Sequence, residues 1–382
     1  MASSFWRRQL PLQARREAWL TLNLSALEHN VTQLAHHLPY PMALMAVLKA
    51  DAYGHGAVAV WPVLQACGVS HIGVANIDEA LQLRDAGCRL PILILGPSPA
   101  WALPMAWHYD LHLTVFSTAH LKAIEEAKLP GPLGVHIKVD TGMHRIGIPW
   151  QEAPALLQAV AASPALRWHG LFTHMADGHT QATTLAQLTR WQHVLASLPP
   201  HGSAQRPPWI HVANSATLLC QGQHLQASGS TLVRFGLAAY GYEPALPHSQ
   251  PVMGLKARIT HVQTVPAGEG VSYGHTWVAS QPSVIATLPL GYADGVPRGL
   301  SDTLKVSVHG QQVPQVGRIT MDQLMIDVTQ LPHVAVGDVV TLLETGANAS
   351  LTLTPWAEAL ATIPYELLCG LRVRLPRSYE RS

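Results

Sequence analysis

The sequence predicts an α/β fold in two parts: a (β/α)8 TIM-type barrel followed by a mainly β C-terminal domain. Two observations carry this reading. Eight short apolar runs alternate with stretches of helical period over roughly 200 residues, the spacing of a barrel whose strands are each followed by a helix. After about Tyr242 the helical period largely stops, Pro244, Pro247 and Pro251 mark a linker, and short strand-like runs take over. A chain of 382 residues has room for both parts. The expected division is an N-terminal extension over 1–16, a barrel over 17–245 and a β domain over 246–382.

Residues 1–16 hold four arginines and no acid, and lack the apolar stretch of a secretory signal, so a short disordered extension is expected. Ser25-Ala26-Leu27-Glu28 reads as a capping box opening a helix with Leu27, Val31, Leu34 and Leu38 on its apolar face. The unbroken apolar run from Met42 to Leu48 suits a strand covered on both faces. Further strands are expected at 71–75, 91–95, 111–115, 135–139, 170–173, 209–212 and 231–235. Helices are expected between them at 77–86, 117–128, 152–162, 181–198 and 215–221. In the second half, 255–265, 284–288, 304–308, 312–316, 325–328 and 339–343 read as strands. Turns fall at 267–270 and His309-Gly310, and one late helix starts near Thr354-Pro355.

Composition excludes several classes. A net charge of +1 leaves no electrostatic footprint for nucleic acid or an anionic membrane, and no apolar run approaches the ~20 residues that span a bilayer. Charged residues are 12%, about half the usual share, which points to surface covered by another subunit. The four cysteines are scattered, with no C-x-x-C pair; that fits a reducing, cytoplasmic setting and argues against a structural zinc site.

In such a barrel the active site lies at the C-terminal ends of the strands. Lys49 ends the first strand. At the lip of a hydrophobic core, desolvation favours the neutral amine, a nucleophile able to form a Schiff base; a stem that packs while its head reaches water is the plainer alternative. The fifth strand ends in His136-Ile137-Lys138-Val139-Asp140 and runs on to Arg145. The sixth ends in His174, the seventh in His211-Val212-Ala213-Asn214-Ser215, the eighth in Arg234-Phe235-Gly236-Leu237. Each has a structural reading: Lys138 paired with Asp140, His174 as a satisfied core histidine, Asn214 or Ser215 as a helix cap. Recurrence at five of eight strand ends favours a site. Loops after the last two strands often bind phosphate, and Ser215, Gly236 and Leu237 offer a hydroxyl and unobstructed N–H groups there. A Schiff-base lysine beside a phosphate cradle calls for pyridoxal 5′-phosphate.

The motifs Val-Leu-Lys49-Ala-Asp-Ala-Tyr53-Gly-His-Gly, Lys138-Val-Asp-Thr-Gly-Met-His-Arg145-Ile-Gly, His211-Val-Ala-Asn-Ser-Ala and Val-Arg234-Phe-Gly-Leu resemble those of the alanine racemase family. So do Val-Ser-Tyr273-Gly, Leu-Gly-Tyr292-Ala-Asp-Gly, Gly-Arg-Ile-Thr-Met321-Asp322 and Ile-Pro-Tyr365-Glu in the second half. The likeness runs over nearly the whole chain after about residue 17.

The resemblance implies an L/D-alanine racemase working by two bases on opposite faces of the substrate: Lys49, which also holds the cofactor, and Tyr273. A phenol of ordinary pKa, about 10, needs help as a base; in the family a link to the residues matching His174 and Arg234 supplies it. Arg234 would face the pyridine nitrogen and, having only donors, leave it unprotonated. Tyr53, Ser215, Gly236 and Tyr365 would touch the phosphate, with Asn214 and Leu237 beside it. Arg145 would hold the cofactor's phenolic oxygen and the substrate carboxylate, and Lys138 would be a carbamate orienting Arg145. Tyr292, Met321 and Asp322, with Tyr273, would reach the other subunit's barrel in a homodimer. No metal is implied. Thr320 stands where many members have cysteine, and a pocket rejects an added hydroxyl weakly, so a serine or broad-spectrum racemase is the nearest alternative. A decarboxylase would place an acid where Arg234 stands, and a cofactor carrier would lack Tyr273 and the β domain.

Overall fold

A computed structural model describes residues 16–200, 203, 205–371 and 374–381. Apart from Arg16, the expected N-terminal extension lies outside the described residues. The chain divides into two compact units: residues 28–239 with 243–249, and residues up to 27 with 240–242 and 250–382.

The first unit is the barrel. Its strands are β2 (Ala43–Val47), β3 (His71–Val74), β4 (Ile92–Ile94), β5 (Leu111–Val115), β6 (Leu133–Asp140), β8 (Leu166–Phe172), β9 (Trp209–His211) and β10 (Leu232–Phe235). All are parallel, in the order β10-β2-β3-β4-β5-β6-β8-β9. Thr231 N–H donates to Ile210 O and Arg234 N–H to Ala213 O, which draws the two ends of the sheet together. All eight expected strands are present. A further short strand, β7 (Ile148–Pro149), pairs with the end of β6. Helices at 57–66 and 103–108 were not expected. The first of them reads Ala-Val-Ala-Val-Trp-Pro-Val-Leu, apolar without an amphipathic period, so its sequence does not separate helix from buried strand.

The second unit is mainly β. The first strand of the chain, β1 (Ala18–Asn23), belongs here rather than to the barrel: it pairs antiparallel with β11 (Met253–Arg258) and parallel with the strand Arg377–Glu380. The single strand expected over 255–265 is two, β11 and β12 (His261–Val265), because the chain changes partner between them. Ile259 N–H goes to Asp338 O and Thr260 N–H to Thr287 O. His309 and Gly310, at φ 49° and 77°, close the expected hairpin. Two late helices, Leu353–Ala359 and Pro364–Gly370, stand where one was expected. The helix Leu24–His36 is capped by Asn23, whose Oδ1 accepts from Ala26 N–H at 2.9 Å; this replaces the expected Ser25 cap and starts the helix two residues earlier.

Candidate active site

Lys49 sits where β2 gives way to a single left-handed turn. Ala50, Asp51, Ala52 and Tyr53 all have φ between 52° and 56°. Left-handed residues with a Cβ cost roughly 1–2 kcal/mol each. Such strain persists only where surrounding bonds over-determine it. Here Glu79 accepts from Ala50 N–H and Ala75 N–H, both at 2.7 Å, and Asp51 accepts from Ala57 N–H at 2.7 Å. The turn lifts Lys49 off the core. Its side chain is exposed, with Nζ 5.8 Å from the centroid of the Tyr53 ring. The desolvation inferred for Lys49 from the apolar run is therefore not what the barrel provides in this chain. It falls instead on Lys138.

Lys138 is buried with its Nζ 4.7 Å from the centroid of the Phe172 ring. Burial first, then the charges of Arg234 and Arg145, pushes its ammonium down to about 7, against a smaller opposing pull from Asp140. Asp140 makes no direct ion pair with Lys138, so the plainer structural reading of that lysine does not hold. Its Oδ1 accepts from the N–H groups of Gly142, Met143 and His144, and Oδ2 lies 3.3 Å from His144 Nδ1. These bonds shape the loop that presents Arg145.

Arg234 is 4% exposed. Nη1 donates to His211 Nδ1 and His211 O, both at 2.7 Å. Nη2 donates to Thr173 O at 2.8 Å, and to His174 Nδ1 and Val212 O at 3.3 Å. Nε–H has no acceptor among the described residues. Burial, with Arg145 nearby, lowers this guanidinium to about 9, still charged at neutral pH. His174 is half-buried, and that burial first, then the charges of Arg234, Lys138, Arg145 and Lys49, drives it down to about 2, so it stays neutral.

Of the residues expected at the phosphate, Tyr53 and Gly236 are in contact. Tyr53 packs against Gly236 so closely that a Cβ on that glycine would lie 2.5 Å from the tyrosine hydroxyl. Ser215 is buried at the start of the helix Ser215–Gln221. Asn214 is its cap, accepting from Thr217 N–H and Oγ1–H at 2.9 Å, so the structural reading of Asn214 holds. Leu237 follows Gly236 and is buried.

The second unit collects the remaining candidates on loops. Tyr273 is 74% exposed. It follows Ser272, a non-glycine residue at φ 65° whose hydroxyl donates to Arg318 O at 2.7 Å. Thr276, just beyond, donates to Asp302 Oδ2 at 2.7 Å. Tyr292 and Met321 are neighbours: Tyr292 N–H donates to Thr320 O and Ala293 N–H to Met321 O, both at 3.0 Å. A Cβ on Gly291 would lie 2.3 Å from Thr320 O, so only glycine lets these loops meet. Asp322 accepts from Arg374 Nη2 at 2.7 Å. Tyr365 lies in the helix Pro364–Gly370.

Three supporting residues escaped the sequence reading. Glu79 braces the lysine turn. Gln187 donates to Thr141 Oγ1 and to His174 O, both at 3.1 Å. His112 approaches His136 inside the barrel. Only His112 left a sequence signal, a polar residue at an inward position of a buried strand.

Residues 22–244 match the family described as "Alanine racemase, N-terminal domain", and 252–379 match "Alanine racemase, C-terminal domain". The chain is 42% identical over 380 residues to the alanine racemase of a Nostoc species, with 95% of each covered. Its structure is similar to that of alanine racemase from E. faecalis, at TM-score 0.88 and 36% identity over 97% of this chain and 100% of that one. It is similar also to the Bacillus anthracis alanine racemase solved with bound L-Ala-P, at TM-score 0.87 and 34% identity over 98% and 97%.

Proposed function

The chain belongs to the alanine racemase family, whose members are isomerases, and on that premise we propose that it interconverts L- and D-alanine with pyridoxal 5′-phosphate and two bases, Lys49 and Tyr273. The observation that carries the cofactor assignment is Arg234: a buried guanidinium with four N–H directions occupied and Nε–H left over. A donor-only group fits a pyridine nitrogen that accepts and stays unprotonated. The Tyr53–Gly236 contact, which a Cβ would fill, and the buried Ser215 suit the phosphate.

When bound, pyridoxal phosphate supplies an electron sink that acidifies the α-proton of an attached amino acid. Lys49 would hold the cofactor through its amine and, once released, move a proton at the α-carbon on one face. Tyr273 would move the proton on the opposite face through its hydroxyl. Arg234 would donate to the ring nitrogen, weakening the sink enough to discourage side reactions, and Arg145 would hold the substrate carboxylate. Lys138 would lie beside Arg145 as a carbamate, formed when its neutral amine adds to CO2 and loses a proton.

We further propose a homodimer in which the partner's Tyr273, together with Tyr292, Met321 and Asp322 of the partner subunit, completes each barrel site. The support is exposure: Tyr273, Tyr292, Met321 and Ile363 are all solvent-facing in the isolated chain, an unusual set of large apolar side chains to leave in water. The four cysteines form no disulfide, which accords with a cytoplasmic protein, and no helix among the described residues is long and apolar enough to cross a membrane. D-Alanine made there would serve peptidoglycan synthesis.

The experiment is incubation of the purified protein with L-alanine in D2O, following chirality and α-deuterium together. D-Alanine carrying α-deuterium is expected. Exchange without inversion would remove Tyr273 from its role, and no exchange would overturn the racemase reading. The shared site has its own test. Lys49→Ala and Tyr273→Phe chains, each inactive, should recover about a quarter of wild-type activity when mixed into dimers, because half the pairs hold one intact site. No recovery would mean that both bases come from one chain.

A further inference from the structure

A line of imidazoles runs through the barrel interior behind Arg234. His211 Nε2 lies 3.0 Å from His136 Nδ1, and His136 Nε2 lies 3.3 Å from His112 Nδ1. His136 and His211 are 0% exposed, and His169 stacks on the His112 ring at 4.1 Å between centroids. Space has been cleared for these rings. A Cβ on Gly170 of β8 would lie 2.0 Å from His136 Nδ1, and one on Gly134 of β6 would lie 2.6 Å from His112 Cδ2.

The direction of every bond in the line follows from its first member. A guanidinium has donors only, so His211 Nδ1 must accept from Arg234. Neutral His211 then carries its proton on Nε2 and donates it to His136 Nδ1. His136 in turn carries its proton on Nε2 and points it at His112 Nδ1. Burial lowers the pKa of all three histidines, which keeps them neutral, as this ordering requires.

We propose that His136, backed by His112, is a positioning residue for Arg234: by accepting the Nε2 proton of His211, it holds that ring with Nδ1 facing the guanidinium. Without the acceptor, a buried N–H would be left unpaired, and rotating the ring to rescue it would withdraw Nδ1 from Arg234. The hydrogen-bond directions stand on the geometry alone. Their effect on turnover rests on the reading that Arg234 faces the cofactor's ring nitrogen.

Two measurements on the full-length enzyme test this. Neutron diffraction of deuterated crystals should place deuterons on Nε2 of His211 and His136 and none on Nδ1; a deuteron on Nδ1 of either ring would overturn the proposal. Kinetically, His136→Phe should lower kcat about 10-fold while KM for alanine stays within about 2-fold, and His136→Gln, whose amide both accepts and donates, should recover most of that loss. Equal losses in the two variants, or a change confined to KM, would reduce His136 to a packing residue. If His136→Phe does not fold, His112→Phe, one step further back, should lower kcat about 3-fold with KM unchanged, and an unaltered kcat would count against the line. An unmodified enzyme that does not racemise alanine would overturn the functional reading, while the deuteron positions would still decide the hydrogen-bond order.

Discussion

The two units solve opposite problems. At the barrel's strand ends the polar atoms are committed several times over: Arg234 makes five contacts, Asp140 gathers three loop amides, and Glu79 braces a turn the backbone resists. In the β unit the loops are pinned just as firmly, by Ser272 on Arg318 O and Tyr292 N–H on Thr320 O, yet the side chains they present stand in solvent. A site that must fix a cofactor needs donors in rigid, dry positions, because misplacement is costly. A group that must meet a substrate arriving from solution needs a rigid backbone and a free tip. The comparison separates residues whose loss unsettles the scaffold from residues whose loss stops only chemistry.

The sharpest test of that separation takes one proposed base from each unit. On the proposed mechanism Lys49→Ala should abolish turnover, by more than about 10³-fold, because it would remove both the covalent tether and a proton-transfer group. Free cofactor then washes out on gel filtration, whereas the wild type keeps it. Tyr273→Phe should cost about 10²–10⁴-fold in kcat while cofactor content and Tm stay at wild-type values, since the hydroxyl belongs to an exposed side chain. A drop in Tm of several degrees in the second variant would mean that Tyr273 is part of the scaffold and would undo the contrast.

A smaller effect distinguishes the two units through their glycines. Gly236→Ala drives a methyl against the Tyr53 hydroxyl at 2.5 Å, so the ring must move out of the cradle. Cofactor affinity is expected to fall about 10-fold with kcat at saturation largely kept, read by titrating the cofactor-free variant. Gly268, in the β unit at φ 87° with nothing near its missing Cβ, should lose only stability on substitution by alanine and leave cofactor affinity untouched.

How much of this was legible follows the range of the interactions. The eight barrel strands and the residues at their C-terminal ends could be read because local apolar runs and one topological rule place them. The exposure of Lys49 could not, because it follows from a left-handed turn held by Glu79, 29 residues from Ala50 in sequence. The same holds for β1, whose partners lie more than two hundred residues on, and for the chain changing partner at Ile259. The cap at Asn23 was missed for a local reason: Ser25 and Asn23 are both good caps, and residue preference alone does not decide between them.

The last contrast is electrical and its expected effect is the smallest. Lys138 sits among positive charges with its own ammonium lowered to about 7, so near neutral pH a substantial share of these side chains are free amines. An ordinary lysine would offer roughly one in a few thousand. The sign is that of a depressed base. Between the usual lysine value, 10.5, and about 7 the unfolded chain holds a proton that the folded chain has released, so stability falls as pH drops through that window and changes no further below it. A carbamate would replace a penalised cation with an anion beside Arg145 and Arg234 and so stabilise the folded chain. Stripping CO2 from the buffer at pH 7–8 should therefore lower kcat by roughly 3–10-fold and lower Tm, both reversed by bicarbonate. Lys138→Met should show neither response. If the wild type is equally indifferent to CO2, the carbamate is absent, and Arg145 is held by the Asp140 loop alone.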